Sequence, residues 1–103
     1  MLPDCFLAAE ASNGREALTL AIQIKPDVVL MDVNMPEMDG FETTTQLKKF
    51  LPDSKVIILT QHDTPQAVDA AKSAGASGFL VKSDARQLSS AIATVSKGLP
   101  YFP

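Results

Sequence analysis

The feature that most constrains this chain is a set of short runs that are apolar at every position: Val28-Val29-Leu30-Met31, Val56-Ile57-Ile58-Leu59 and Phe79-Leu80-Val81. A strand of that kind has no side to give to water, so both of its faces must be covered. Segments of helical periodicity lie between the runs and supply the cover. Asn13 opens the first, with Glu16 at capping-box spacing; Ala17, Leu18, Ala21 and Ile22 share one face, and Pro26 with Asp27 stops it. Asp39 and Glu42 repeat that spacing for the second. Phe41, Leu47, Phe50 and Leu51 form its expected buried side despite three β-branched threonines at 43, 44 and 45, and Pro52 ends it. The third has Thr64 as N-cap, Pro65 at the first turn, Ala67, Val68, Ala71 and Ala74 facing inward, and Gly75 as its stop. Ser83 or Asp84 caps the last, whose Leu88, Ala91, Ile92, Val95 and Leu99 recur at helical spacing before Gly98 and Pro100. A weaker strand candidate, CFLAAEA at 5–11, precedes them all. Strands alternating with helices of this length require crossover connections and parallel pairing, which is the doubly wound α/β class.

At 103 residues the chain reads as a single domain over 1–103. A net charge of −3 leaves no basic field for gripping a phosphate backbone. No apolar run approaches the ~20 residues of a membrane helix. The lone Cys5 cannot form an intrachain disulfide and reads as a small buried apolar residue. The first residues carry no signal-peptide pattern, so a cytoplasmic protein is expected.

Three runs end in polar residues of different kinds: the carboxylate Asp32, the hydroxyl Thr60 and the ammonium Lys82. Parallel pairing places these ends on one edge, where open α/β sheets bind ligands. With neighbouring strands about 4.8 Å apart, an acid, a donor and a cation there fall within reach of one small anionic group. That combination suits a phosphoryl group carried on Asp32 as nucleophile, its oxygens neutralised by the cation and donor. Plainer roles stand beside these. Asp32 alone would cap a turn, Lys82 alone would be surface charge, Thr60 could cap the loop before Thr64, and Phe79 could be core.

VLMDVNMPEMDG around Asp32, ILT ending at Thr60 and GFLVK ending at Lys82 closely resemble the receiver domains of two-component response regulators. The resemblance implies a flavodoxin-like (CheY-like) doubly wound parallel sheet. It also implies a phosphoryl group accepted by Asp32 from a histidine kinase with Mg²⁺ bridging, Thr60 and Lys82 contacting the phosphoryl oxygens, and Phe79 as an aromatic switch. Asn34 and His62 fall where the family tunes acyl-phosphate hydrolysis, and the backbone carbonyl of Asn34 joins Asp32 as a metal ligand. Such a domain is a switch rather than an enzyme. The ending SKGLPYFP resembles the branch that continues into a LuxR-type helix-turn-helix output domain, so DNA binding would belong to a region outside this sequence.

The first strand and helix of the family pattern, with the acidic pair that holds Mg²⁺, have no counterpart here; Asp4 and Glu10 sit before or within the family's second strand. Metal affinity is expected to fall sharply. About four strands and four helices remain, and the absent strand is the central one of a 2-1-3-4-5 order. Its place is expected to be filled by a partner chain through dimerisation or strand exchange, to be closed by the flanking strands meeting directly, or to be restored by sequence upstream. The alternative function is a pseudo-receiver acting as a dimerisation or docking module without phosphorylation. A small hydrolase lacks any nucleophile-plus-base arrangement. His62 has no ligand cluster for zinc. Met31, Met35 and Met38 read as core and loop packing, and Lys48 with Lys49 as a solvated helix face.

Overall fold

The computed structural model describes residues 5–7, 14–33 and 39–103, and for Cys5–Leu7, Asp84 and Ala85 the backbone alone. Among the described residues the chain runs β1 (Cys5–Leu7), α1 (Gly14–Ile24), β2 (Val28–Asp32), α2 (Gly40–Phe50), β3 (Lys55–Thr60), α3 (Pro65–Ala74), β4 (Gly78–Val81), a 3-10 segment (Lys82–Gln87) and α4 (Leu88–Ser96). The Asn13 cap, Asp4, Glu10, Asn34, Met35, Met38 and positions 8–11 of the first strand lie outside the described residues.

The sheet is parallel throughout, in the order β1-β2-β3-β4. Cys5 pairs with Val28, Val28 with Lys55, and Ile57 with Gly78. Of the three ways to fill the central position, the flanking strands β1 and β2 meet directly. Pairing satisfies backbone N–H and C=O groups that two open strand edges would leave without protein partners.

The pleat divides the core in two. Val29, Met31, Val56, Ile58 and Phe79 face Ala17, Ala21, Leu47 and Ala71, so α1, α2 and α3 cover one side. Val28, Leu30, Ile57 and Leu80 face Ala91 and Val95 of α4 on the other. Right-handed crossovers between strands laid down in sequential order put all three connecting helices on the same side, and only the helix after the last strand reaches the opposite one.

Local signals act largely where they were read. Asp39 Oδ1 accepts from the Glu42 amide at 3.0 Å, and Thr64 Oγ1 accepts from the Ala67 amide at 3.1 Å. Gly75, at φ 94°, closes α3 by donating to Ala71 and Lys72 carbonyls. The three threonines of α2 are accommodated because each hydroxyl donates to the carbonyl four residues back: Thr43 to Asp39, Thr44 to Gly40 and Thr45 to Phe41.

Several expectations are corrected. Ile22 and Phe50 are 37% and 59% exposed. The fully buried positions of α1 are alanines, which seat the helix close to the sheet and leave a narrow buried stripe. At the end of α2 it is Leu51, not Phe50, that packs on the core. Leu99 is 57% exposed, since Gly98 at φ 87° has already ended the helical phase. The last helix begins later than expected: Lys82–Gln87 winds as a 3-10 segment, a common lead-in to an α-helix, and Gln87 occupies the N-cap without a side-chain cap bond. Lys48 is half-buried. Its ammonium donates to the Pro52 and Ser54 carbonyls at 2.9 and 2.8 Å, fastening the end of α2 to the turn before β3, while Lys49 is exposed.

No helix among the described residues is long and apolar enough to cross a membrane.

Lys25 ends α1 at φ 52°, donating to the Ala21 carbonyl at 2.7 Å. A side chain there costs about 1–2 kcal/mol, partly offset by the extra freedom glycine has when unfolded. Lys25→Gly is therefore expected to stabilise by about 0.5–1 kcal/mol, read as a higher urea midpoint at unchanged m-value.

Burial, reinforced by the charge of Lys55 and opposed by Asp53, holds the Lys48 ammonium below its ordinary pKa of 10.5. Between its lowered folded value and 10.5 the unfolded chain binds more protons, so this group's contribution to stability rises with pH across that window. Lys48→Met is expected to flatten that rise in pH-dependent urea titrations relative to the parent.

Candidate functional site

The exits of β2, β3 and β4 form one rim. Asp32 pairs with Leu59, and Thr60 pairs with Val81, so the rim climbs by one residue between strands. The Val33 amide donates to the Leu59 carbonyl at 3.0 Å, carrying the ladder one step past Asp32 and fixing the backbone that bears the carboxylate.

Asp32 and Lys82 meet: Nζ lies 2.5 Å from Oδ2, with 35% of the lysine side chain and 15% of the aspartate side chain accessible. Since β3 stands between their strands, the lysine and aspartate side chains together bridge roughly two strand spacings, about 10 Å, across the end of β3. Thr60 is 4% exposed. By the two-residue alternation it continues the Val56 and Ile58 face, whereas Asp32 continues Val28 and Leu30. Its hydroxyl accepts from the His62 amide at 3.3 Å and so also shapes the loop into α3. The His62 side chain is exposed, next to that loop. Phe79, 2% exposed, is packed in the α1–α3 core from β4, three residues before Lys82. Asn34 lies outside the described residues.

Gly40 is a site-building residue that sequence reasoning passed over. A Cβ there would stand 2.6 Å from Val33 Cγ1 and 3.1 Å from both Met31 Cγ and the Val33 Cα. The first turn of α2 thus sits directly on the exit of β2. The available signal was its place just after Asp39, at the start of a helix where any small residue would have served as well. Gln87 and Tyr101, whose side chains join at 2.8 Å beside the rim, carried no sequence signal at all.

The described rim is poor in donors for Mg²⁺. No cluster of three His, Cys, Asp or Glu side chains occurs among the described residues. At this rim they offer one carboxylate, already in contact with an ammonium. Mg²⁺ prefers six oxygen ligands, so these residues by themselves do not make a fitting site.

Comparison with known proteins places this geometry. A family model described as "Response regulator receiver domain" matches residues 3–93. The transcriptional regulatory protein LiaR of Bacillus subtilis is 42% identical over 99 residues, which is 95% of this chain and 47% of LiaR. The transcriptional regulatory protein DegU of Brevibacillus brevis is 39% identical over 103 residues, 99% of this chain and 44% of that protein. The chain therefore spans a little under half the length of these relatives. Among solved structures, a LuxR-family two-component response regulator from Aurantimonas superposes with a TM-score of 0.82 at 32% identity, covering 88% of this chain and 66% of that one.

Gly40→Ala is expected to push α2 off the β2 exit and to destabilise by about 1–3 kcal/mol, the range for overpacking a tight contact. The check is a lower urea midpoint together with amide chemical-shift changes concentrated at Met31, Asp32 and Val33.

Proposed function

The chain belongs to the response-regulator receiver family, and from that premise we propose that it is a phosphorylation-controlled switch with Asp32 as acceptor, spanning 1–103 as one domain. The observation that supports this reading best is the Lys82 ammonium held 2.5 Å from the Asp32 carboxylate at the carboxyl edge of a parallel sheet. A carboxylate oxygen of Asp32 attacks the phosphorus of a phosphohistidine on a histidine kinase. The O–P bond forms as the N–P bond breaks, and the imidazole leaves. Lys82 then has a phosphoryl oxygen to pair with where it previously had the carboxylate. The Thr60 hydroxyl, on exchanging the His62 amide for a second phosphoryl oxygen, draws the loop before α3 with it. Phe79, on the strand beside that loop, serves as the aromatic switch, while Asn34 and His62, two residues after Asp32 and Thr60 in the sequence, set how long the acyl phosphate lasts.

The single described carboxylate is the observation that favours the second reading, a pseudo-receiver that docks or dimerises without being phosphorylated. Two of the relatives are named as transcriptional regulatory proteins, and on this reading DNA contact belongs to a LuxR-type output region and not to this acidic domain. A cytoplasmic location goes with the same reading.

Intact-mass measurement after incubation with acetyl phosphate, with and without Mg²⁺, tests the proposal. One phosphoryl group is expected on the parent chain and none on Asp32→Asn; an unchanged parent mass in both conditions leaves the docking module as the function. Lys82→Met is expected to change stability by no more than about 1 kcal/mol, because a third of the lysine side chain is in water, where the ion pair is screened. The same variant should slow phosphoryl uptake by about 10²–10³, the usual effect of removing one group that stabilises developing charge.

A further inference from the structure

After α4 the chain turns at Gly98 and comes back along the free side of β4. Tyr101 forms a parallel bridge with Gly78. Its amide donates to the Ser77 carbonyl at 2.9 Å, and its carbonyl accepts from the Phe79 amide at 2.8 Å. The Tyr101 hydroxyl donates to Gln87 Oε1 at 2.8 Å. Phe102 packs against the α1–α3 core, with the Lys72 ammonium of α3 5.2 Å from its ring centre. The segment 99–103 is therefore a strap held by the sheet edge, by the 3-10 segment and by α3. A shallow groove of about 300 Å³, lined by Asp63, Phe79, Val81, Gln87, Tyr101 and Phe102, lies between it and the loop into α3.

Two of these holds bracket Lys82 in the chain. Phe79 lies just before it on β4, and Gln87 closes the 3-10 segment that begins with it. The Asp32–Lys82 ion pair ties the residue at which β4 passes into that segment to the end of β2. We propose that the Tyr101–Phe102 strap is a latch governed by the rim: it closes the β4 edge while Lys82 is held at Asp32 and loosens when that ion pair is broken. Loosening uncovers the Ser77 carbonyl and the Phe79 amide, which makes the edge of β4 available for pairing. The physiological trigger rests on the reading of Asp32 as phosphoacceptor; the coupling between ion pair and strap does not.

Hydrogen exchange of the Tyr101 and Phe79 amides, followed by NMR against the amides of central β3, measures the latch directly. In Lys82→Met both amides are expected to exchange about two- to fivefold faster than in the parent while those of Val56 and Ile57 keep their protection. Unchanged exchange at Tyr101 and Phe79 overturns the proposal. Should Lys82→Met lose protection throughout, the near-isosteric Asp32→Asn decides on the same comparison. Tyr101→Phe, which removes only the hydroxyl link to Gln87, is expected to loosen both amides with the ion pair intact, and no loosening there likewise overturns the relay. Acetyl phosphate separates the two readings. If the variants loosen the strap but the parent takes up no phosphoryl group, the latch stands and the acceptor role of Asp32 falls. Phosphoryl uptake by a parent whose variants leave the strap protected gives the reverse.

Discussion

Everything in this fold follows from the central residues of β2 and β3 having no side that water can touch. Val28, Val29, Met31, Val56, Ile57 and Ile58 are all fully buried, and none offers a polar atom. A polar side chain within these strands would need its own hydrogen-bond partner in an apolar layer, at a cost of a few kcal/mol where none exists. On β2 and β3 charge is tolerable only at the strand ends. The amino-terminal ends are taken up by structural ties, with Ser54 Oγ donating to the Pro26 carbonyl at 2.6 Å and the Lys55 amide donating to the Asp27 carbonyl at 2.9 Å. That leaves Asp32, Thr60 and Lys82 gathered at the other rim, as a consequence of the same burial that holds the sheet together.

Sequential strand order has a second consequence, in how the two faces are covered. Three helices crowd one side, and their close approach is set by small residues: Ala17 and Ala21 under α1, Ala71 under α3, and Gly14, where a Cβ would fall 2.3 Å from Thr43 Oγ1 between α1 and α2. The opposite side depends on α4, whose Ala91 and Val95 reach Val28, Ile57 and Leu80. A single helix cannot also shield the outer edge of β4. The returning chain does so, through Tyr101 alone of the bridged positions, which is why the rim and the C-terminal strap share the short stretch of backbone from Gly78 to Gln87.

How much of this could be read from the residues depends on the range of the interaction. The three apolar runs announced their burial because the requirement is local and repeated at every position. Thr64, Pro65 and Gly75 announced α3 because capping is settled within a few residues. Phe50 and Ile22 misled for the opposite reason. Helical periodicity shows which residues share a stripe, but how wide a stripe is buried depends on the size of the side chains opposite, and alanines bring the neighbouring layer in close. Lys48 misled similarly, since its two carbonyl partners belong to a turn whose path only the tertiary fold fixes. At the rim, residue types and strand ends were legible, and the contact between Asp32 and Lys82 follows from them. The seat of Thr60 on the other face of the pleat required the register. The link between Tyr101 and Gln87 had no pattern to show, being one side-chain contact made by a segment of no regular structure.

The strength of the Asp32–Lys82 pair limits what it can do. With a third of the lysine side chain in water, the pair contributes on the order of 1 kcal/mol or less. Carrying a two-state element from 1:99 to 99:1 takes about 5.5 kcal/mol. The pair therefore cannot hold the strap shut by itself, nor impose a rearrangement of the sheet, whose core is worth far more. It can bias an element already near balance, and the strap is of that kind: a few hydrogen bonds of about 0.5–1.5 kcal/mol each, set against the entropy of ordering a handful of residues. A doubly charged group on Asp32 raises the stake on two counts, because it draws the ammonium more strongly than a carboxylate does and places the attraction further out from the sheet. For the proposed switch, weakness in the resting ion pair is thus a functional requirement. A buried, tightly bonded salt bridge at this rim would fix the exit of β4 in one position and leave nothing for a change of charge to move.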